Sequence, residues 1–310
     1  MTPTPLTVIG GFLGAGKTTL LNHLLRDPAG RRMTVLVNDF GAINVDADLI
    51  AKHDGETIAL SNGCICCSIG NSLVAALIGL TRQAHRPDQI VVEASGIADP
   101  GRIAEIAFLE PSVRLSGIIV VADAEQLRRQ ADDRYVGDAL RSQIAAAEIL
   151  ILNKVDLISE AAREETASWV RQHAPGAKVV QAVRSAVPAG IVLGFDREAG
   201  RTWPGWTGKY PHDVGDYTAI LFKAGRPFRM QALRRVLDAL PSGVLRAKGQ
   251  VITDENPDTP AVLQLVGKRW SLEPSPSPSS RPGNRLVIIG LKGAVEAEEI
   301  EARFASALCE

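Results

Sequence analysis

The chain has 310 residues, 45% of them hydrophobic and 22% charged, with a formal net charge of −1. That is an ordinary globular composition, long enough for two domains with sizeable cores. The near-zero charge gives no general reason to expect nucleic acid or an anionic membrane as a partner, and no apolar run approaches the roughly 18 to 20 residues that span a bilayer.

The chain enters a strand almost at once, with no basic segment, apolar stretch and cleavage site ahead of it, so a cytoplasmic location is expected. The first half alternates short apolar runs with amphipathic stretches, the pattern of an α/β fold with a mostly parallel sheet. Thr7-Val8-Ile9 ends a first strand. Gly11-Phe12-Leu13-Gly14-Ala15-Gly16-Lys17-Thr18 then leads into a helix from Lys17 to about Leu25. This stretch fulfils the phosphate-loop pattern in full, between a strand and a helix as its mechanism requires. The glycines let backbone amides turn inward around phosphates at the positive end of the helix. Gly11, Gly14, Ala15, Gly16 and Thr19 are the expected cradle. Lys17 would reach the β- and γ-phosphates, and the Thr18 hydroxyl would bind Mg²⁺.

Thr34 to Asn38 reads as a second strand, and Asp39 to about Ile50 as irregular. Asp39 and Asp46 could contact Mg²⁺ or the γ-phosphate as a switch, or merely solubilise a loop. After a short strand, Thr57 to Leu60, comes Gly63-Cys64-Ile65-Cys66-Cys67, which holds three of the four cysteines. Disulfides within so tight a trio would be strained. Three thiolates in a turn marked by Asn62-Gly63 can instead face one ion, and soft sulfur favours Zn²⁺ or Cu(I), with Co²⁺ able to take similar tetrahedral sites. No second cysteine pair and no His-x3–5-His follows. The fourth position is then open or borrowed, which suits transfer better than storage. Two other readings stand beside this one: small buried apolar cysteines, or a redox pair with one spare. Cys309 is read as a bystander. Asn71 to Gln83 reads as helix.

Gln89 to Glu93 is a continuous β-branched run, as in a strand buried on both faces. Glu93 ends it where a phosphate-loop enzyme places the acid that meets the Mg²⁺ shell or orients water. Ser95-Gly96 would let the backbone approach the γ-phosphate. Gly117 to Asp123 and Glu148 to Lys154 are two more such strands, and Lys178 to Ala182 closes the sheet. At the end of one lies Asn153-Lys154-Val155-Asp156, on the expected nucleotide edge. The Asp156 carboxylate can accept hydrogen bonds from N1 and the exocyclic amine of guanine, a donor pair adenine lacks. Asn153 and Lys154 would brace the base and the phosphate loop. GTP is therefore the expected nucleotide. No arginine stands out as a finger, so hydrolysis is expected to be slow.

From Gly194 the texture changes. Residues 195–216, rich in tryptophan, proline, glycine and charge, read as a linker between a nucleotide domain at 1–194 and a second domain at 217–310. Tyr217 to Lys223, Arg246 to Ile252, Ala261 to Val266 and Arg285 to Gly290 read as strands. Met230 to Leu240 and Ala297 to Leu308 read as helices, and Ser275 to Ser280 as a loop. The second domain is a smaller α+β unit.

With these motifs placed, the chain resembles the CobW family, the metallochaperone branch of phosphate-loop GTPases that also holds HypB and UreG. The stretches that carry the resemblance are Gly10 to Thr19, Asn38-Asp39-Phe40-Gly41, Gly63 to Cys67, Glu93-Ala94-Ser95-Gly96-Ile97-Ala98-Asp99-Pro100 and Asn153 to Asp156. Gly225-Arg226-Pro227-Phe228 and Leu245 to Gly249 resemble the family's C-terminal domain more weakly. The resemblance implies GTP binding and slow hydrolysis with Mg²⁺; on the reading of the residues above, Thr18, Asp46 and Glu93 are the expected Mg²⁺ ligands, and Lys17, Glu93 and Asp46 the expected catalytic residues. It also implies Zn²⁺ or Co²⁺ on Cys64, Cys66 and Cys67, delivery of that metal to a client metalloprotein, and a homodimer paired through the nucleotide face. Two departures matter. Only His212 stands where many members carry a histidine-rich tract, and Ala42 follows Phe40-Gly41 where a glutamate is common. The alternative is a phosphate-loop kinase, or another nucleotide hydrolase, with a structural or redox thiol loop. A pure metal sensor with structural nucleotide is a third class.

Overall fold

The computed structural model describes residues 3–28, 30–38, 56–60, 68–194, 212–214, 216–275 and 283–310. The chain divides into two compact units, Met1–Leu193 and Gly194–Glu310. No helix among the described residues is long and apolar enough to cross a membrane.

The first unit is a seven-stranded sheet in which every neighbouring pair is parallel. Its strands are β1 (Thr4–Gly10), β2 (Met33–Asn38), β3 (Glu56–Leu60), β4 (Gln89–Glu93), β5 (Val113–Asp123), β6 (Ile149–Asn153) and β7 (Lys178–Ala182), in the order β3-β2-β4-β1-β5-β6-β7. The buried runs Ile90-Val91-Val92 and Ile149-Leu150-Ile151-Leu152 explain the arrangement. A strand apolar on both faces must be covered on both, which helical crossovers between parallel strands achieve. All seven strands end on one edge, and there β1 turns into α1 (Lys17–Arg26).

The helices between strands are where the structure departs from the sequence reading. α2 spans Ser68–Thr81, three residues earlier than the apolar period suggests. α3 (Pro100–Leu109), α4 (Leu127–Ala131), α5 (Gly137–Ala146), α6 (Glu160–His173) and α7 (Ala189–Leu193) are additional. Two of them carry ordinary start signals. The Asp99 carboxylate accepts from Gly101 N at 2.8 Å ahead of Pro100, and Ser159 Oγ accepts from Ala162 N at 3.2 Å. Such caps satisfy the free amides of a first helical turn. Strand β5 begins at Val113, four residues before the apolar run, because Thr4 and Leu6 of β1 pair with Val113 and Leu115.

The second unit is a six-stranded sheet, β8 (His212–Val214), β9 (Tyr217–Ala224), β10 (Val244–Thr253), β11 (Asn256–Val266), β12 (Arg269–Pro274) and β13 (Asn284–Leu291). Its order is β12-β11-β10-β13-β9-β8, and every pairing is antiparallel. One face packs with α8 (Met230–Asp238) and α9 (Ala297–Ala305), and the core joins Phe222, Leu286 and Ile288 to Leu233, Ile300 and Phe304. Phe222, Phe228 and Phe304 form an aromatic cluster with centroids 5.5 to 6.2 Å apart. Residues 212–214, read from sequence as part of the linker, form a strand with Val214 opposite Tyr217. The hairpin stabilises a three-residue segment too short and polar to signal itself.

Candidate functional site

The phosphate loop leaves β1 with a backbone that only glycine accepts at two points. Gly11 has φ 135°, and the Val121 carbonyl occupies the place a Cβ would take. Gly16 has φ 113°, and a Cβ there would meet the Asn153 side-chain amide and Ser185 Oγ. Gly14, at φ 75°, faces open space. Ala15 is buried, Thr18 half-buried and Thr19 exposed. Lys17 opens α1, is 5% exposed, and folds its Nζ back to within 3.4 Å of the Phe12 carbonyl. The cation thus lies over the loop whose amides would receive phosphate.

Asn153, at the end of β6, is 2% exposed. Its Nδ2 donates to the Ala15 carbonyl at 2.8 Å, and its Oδ1 accepts from Ser185 N at 2.7 Å. Ser185 Oγ donates in turn to the Gly16 carbonyl at 3.0 Å. The phosphate loop, the end of β6 and the turn after β7 are therefore one hydrogen-bonded body. Lys154, expected with Asn153 to brace the base and the phosphate loop, is held from the neighbouring strand. It sits in the left-handed region at φ 62°, and its Nζ pairs with Asp123 Oδ2 at 2.7 Å. Asp156 follows in a short 3₁₀ turn, Val155–Leu157, and is exposed.

Three residues beside the site, Asp123, Arg184 and Ser185, carry no signal in the sequence reading. Asp123 ends β5 and orients Lys154 while accepting from Glu125 N at 3.0 Å. Arg184 and Ser185 are consecutive non-glycine residues at φ 50° and 53°, and Ser185 is fully buried. Backbone strain of this kind persists only where surrounding contacts hold it, and it clusters at binding sites. Neither residue is a Gly, Asn or Asp that would mark a left-handed turn, so the sequence carries no local signal for it.

On the other side of the loop, Glu93 ends β4 at 1% exposure, opposite Ile9 of β1 and Val37 of β2. The segment after it lies against the phosphate loop, with Leu13 standing where a Gly96 Cβ would be. A turn closes it through Ala98 N to the Ser95 carbonyl at 3.0 Å. Ser95 is 6% exposed, and its Oγ has no hydrogen-bond partner among the described residues. The Thr18 hydroxyl and the buried Glu93 carboxylate are hard oxygen donors, the chemistry that suits Mg²⁺. Asp39, Asp46, Cys64, Cys66 and Cys67 lie outside the described residues. Among the described residues no group of three or more His, Cys, Asp or Glu could hold a metal. The segments that carry these five follow paired positions in the chain, since Asn38 and Leu60 face each other at the ends of β2 and β3.

Residues 5–181 match the family model for the CobW/HypB/UreG nucleotide-binding domain, and residues 217–308 match that for the cobalamin synthesis protein cobW C-terminal domain. A zinc chaperone YjiA of Escherichia coli is 30% identical over 98% of this chain and 99% of its own length. A zinc chaperone CobW of a Sinorhizobium species is 30% identical over 94% of each. A zinc-regulated GTPase metalloprotein activator 1 of Dictyostelium discoideum is 28% identical over 86% of this chain and 67% of its own. Among solved structures, the Zn(II)-bound YjiA GTPase from E. coli aligns over the whole of both chains at 25% identity, with a TM-score of 0.48.

Proposed function

Since the chain belongs to the CobW/HypB/UreG family, we propose that it is a GTP-binding, GTP-hydrolysing metallochaperone. It takes Zn²⁺, or Co²⁺, at the thiolates of Cys64, Cys66 and Cys67 and delivers the ion to a client metalloprotein. The observation that carries the nucleotide half is Asn153, which joins the guanine-reading segment to the phosphate loop. The relatives named as zinc chaperones, matching over nearly the whole chain, support the metal half.

In this reading the loop amides from Gly11 to Thr19 and Lys17 receive the phosphates, and Asp156 reads the base. Thr18, Glu93 and Asp46 hold Mg²⁺, which neutralises charge on the β- and γ-phosphates when bound. Glu93, or Asp46, orients the water that converts GTP to GDP and phosphate. Turnover is slow unless a partner or the metal completes the site. Two copies pair through the nucleotide face. The bound triphosphate orders the stretch from Asp39 to Cys67 into a tight metal site, and hydrolysis relaxes it.

Calorimetric titration of Zn²⁺ into the chain loaded with a GTP analogue, and then with GDP, tests this. A switch from nearly all bound to nearly all released requires roughly 10⁴-fold between the two affinities. By linkage, Zn²⁺ must tighten GTP binding by the same factor. Equal Zn²⁺ affinities would sink the chaperone model and leave the GTPase intact.

A further inference from the structure

We propose that Gln143 is a positioning residue for the triphosphate: it holds the 95–98 turn in the form that receives the γ-phosphate, and so sets the preference for GTP over GDP. This deepens the functional reading above and rests on it. Gln143 lies on α5 and is fully buried. Its Nε2 donates to the Gly96 carbonyl at 3.1 Å and to the Ala98 carbonyl at 2.9 Å. The preceding residue, Ser142, donates from Oγ to Asp99 Oδ2 at 2.9 Å, while Asp99 Oδ1 caps α3. Two consecutive residues of one helix thus hold the segment between the end of β4 and the start of α3.

Both partners of Gln143 are carbonyl oxygens, so only its NH₂ can face them. Its Oε1 is left buried with no hydrogen-bond partner among the described residues. A buried acceptor without a donor is costly, and an apolar side chain would avoid that cost only by taking the donor from the Gly96 and Ala98 carbonyls. The arrangement makes sense as a means of aiming the turn. No peptide bond among the described residues is cis, and in a planar trans peptide the C=O and N–H point in opposite directions. With the carbonyls of Gly96 and Ala98 turned toward α5, the amides of Ile97 and Asp99 point away from it. Leu13 of the phosphate loop lies against Gly96 in the same turn, and the Ser95 hydroxyl waits beside it without a partner among the described residues. GDP has no γ-phosphate to use this turn, so loosening it weakens GTP alone.

The experiment is calorimetry of the full chain with Mg²⁺, titrating GDP and a non-hydrolysable GTP analogue into wild type, Gln143→Met and Ser142→Ala. Gln143→Met should weaken the analogue about tenfold, the scale of two lost hydrogen bonds, and change GDP by less than about twofold. Ser142→Ala, at an exposed position, should lower the same ratio about threefold. An unchanged ratio in both variants overturns the inference. So does an equal loss for both nucleotides, the mark of a glutamine that only supports the fold. Should Gln143→Met not fold, Ser142→Ala decides by the same ratio. A wild-type chain that binds neither nucleotide overturns the functional reading itself, and this inference with it.

Discussion

The Asn153 side-chain amide and the Ala15 carbonyl meet at 2.8 Å across 138 positions of sequence. Through this bond and its partner at Ser185, the end of β6, the phosphate loop and the turn after β7 are held as one piece. Asn153→Ala would strand two buried backbone groups, each worth about 1 to 3 kcal/mol. We expect about 2 to 4 kcal/mol lower stability in urea denaturation, with nucleotide affinity falling in parallel by calorimetry. A stability loss under half a kcal/mol would contradict the tie.

Gly11 and Gly14 should separate sharply under the same substitution. Gly11→Ala places a methyl group on the Val121 carbonyl at φ 135°, so strand β1 or β5 must move. The cost should exceed about 3 kcal/mol, the upper range for overpacking. Gly14→Ala meets open space and bears only the left-handed penalty of about 1 to 2 kcal/mol. Chemical denaturation of the two variants checks the order.

Asp156→Asn separates a guanine-specific GTPase from a phosphate-loop kinase. Removing a charged acceptor for two donors should weaken GTP by roughly 100-fold, and xanthine nucleotide should replace it. A competition assay with GTP, ATP and XTP reads this directly. Unchanged GTP affinity would remove Asp156 from base recognition.

Exchange of Cys64, Cys66 or Cys67 for serine should each lower Zn²⁺ affinity at least about 100-fold, since a hydroxyl is a poor ligand for a soft site. GDP binding should stay within about twofold. Lys17→Ala tests the coupling from the other side. Weak Zn²⁺ binding that no longer responds to nucleotide is expected, whereas tight Zn²⁺ binding to Lys17→Ala, equal to that of the wild type, would mark a metal sink.

Burial, and after it the charge of Asp216, push the Tyr217 phenol up from 10.0 to about 12. The folded chain keeps this proton where the unfolded chain releases it. The contribution to stability is whole below about pH 10 and is lost progressively as pH rises toward 12. Tyr217→Phe should flatten that alkaline limb by about 2 kcal/mol. Urea melts at about pH 9.5 and about pH 11.5 measure it.

The parallel sheet is legible in the sequence because strands buried on both faces read as unbroken β-branched runs, as in Gln89 to Glu93. The phosphate loop and the Asn153 to Asp156 segment are legible because each packs its chemistry into a few consecutive residues. Gln143 is the opposite case. It is one polar residue within a helix, and its partners are backbone carbonyls 47 and 45 positions away, so no local pattern marks it. Ser185 hides for the same reason, since its left-handed conformation is imposed by Asn153 and Gly16 rather than by its own chemistry. Strand β12 is obscured by Arg269 and Glu273, half-buried charges that blur its alternation.

The position of β3 has one more consequence. Among the described residues it lies at the margin of the sheet and bonds to β2 alone, while the stretches on either side of it in the chain hold Asp39, Asp46 and the three clustered cysteines. A strand held by a single ladder opens more readily than those bonded on both sides. Deuterium uptake at the amides of Glu56 to Leu60 is therefore a natural gauge. Whatever binds either flanking stretch slows exchange there first, while β1 and β4, clamped on both sides, keep the same rate.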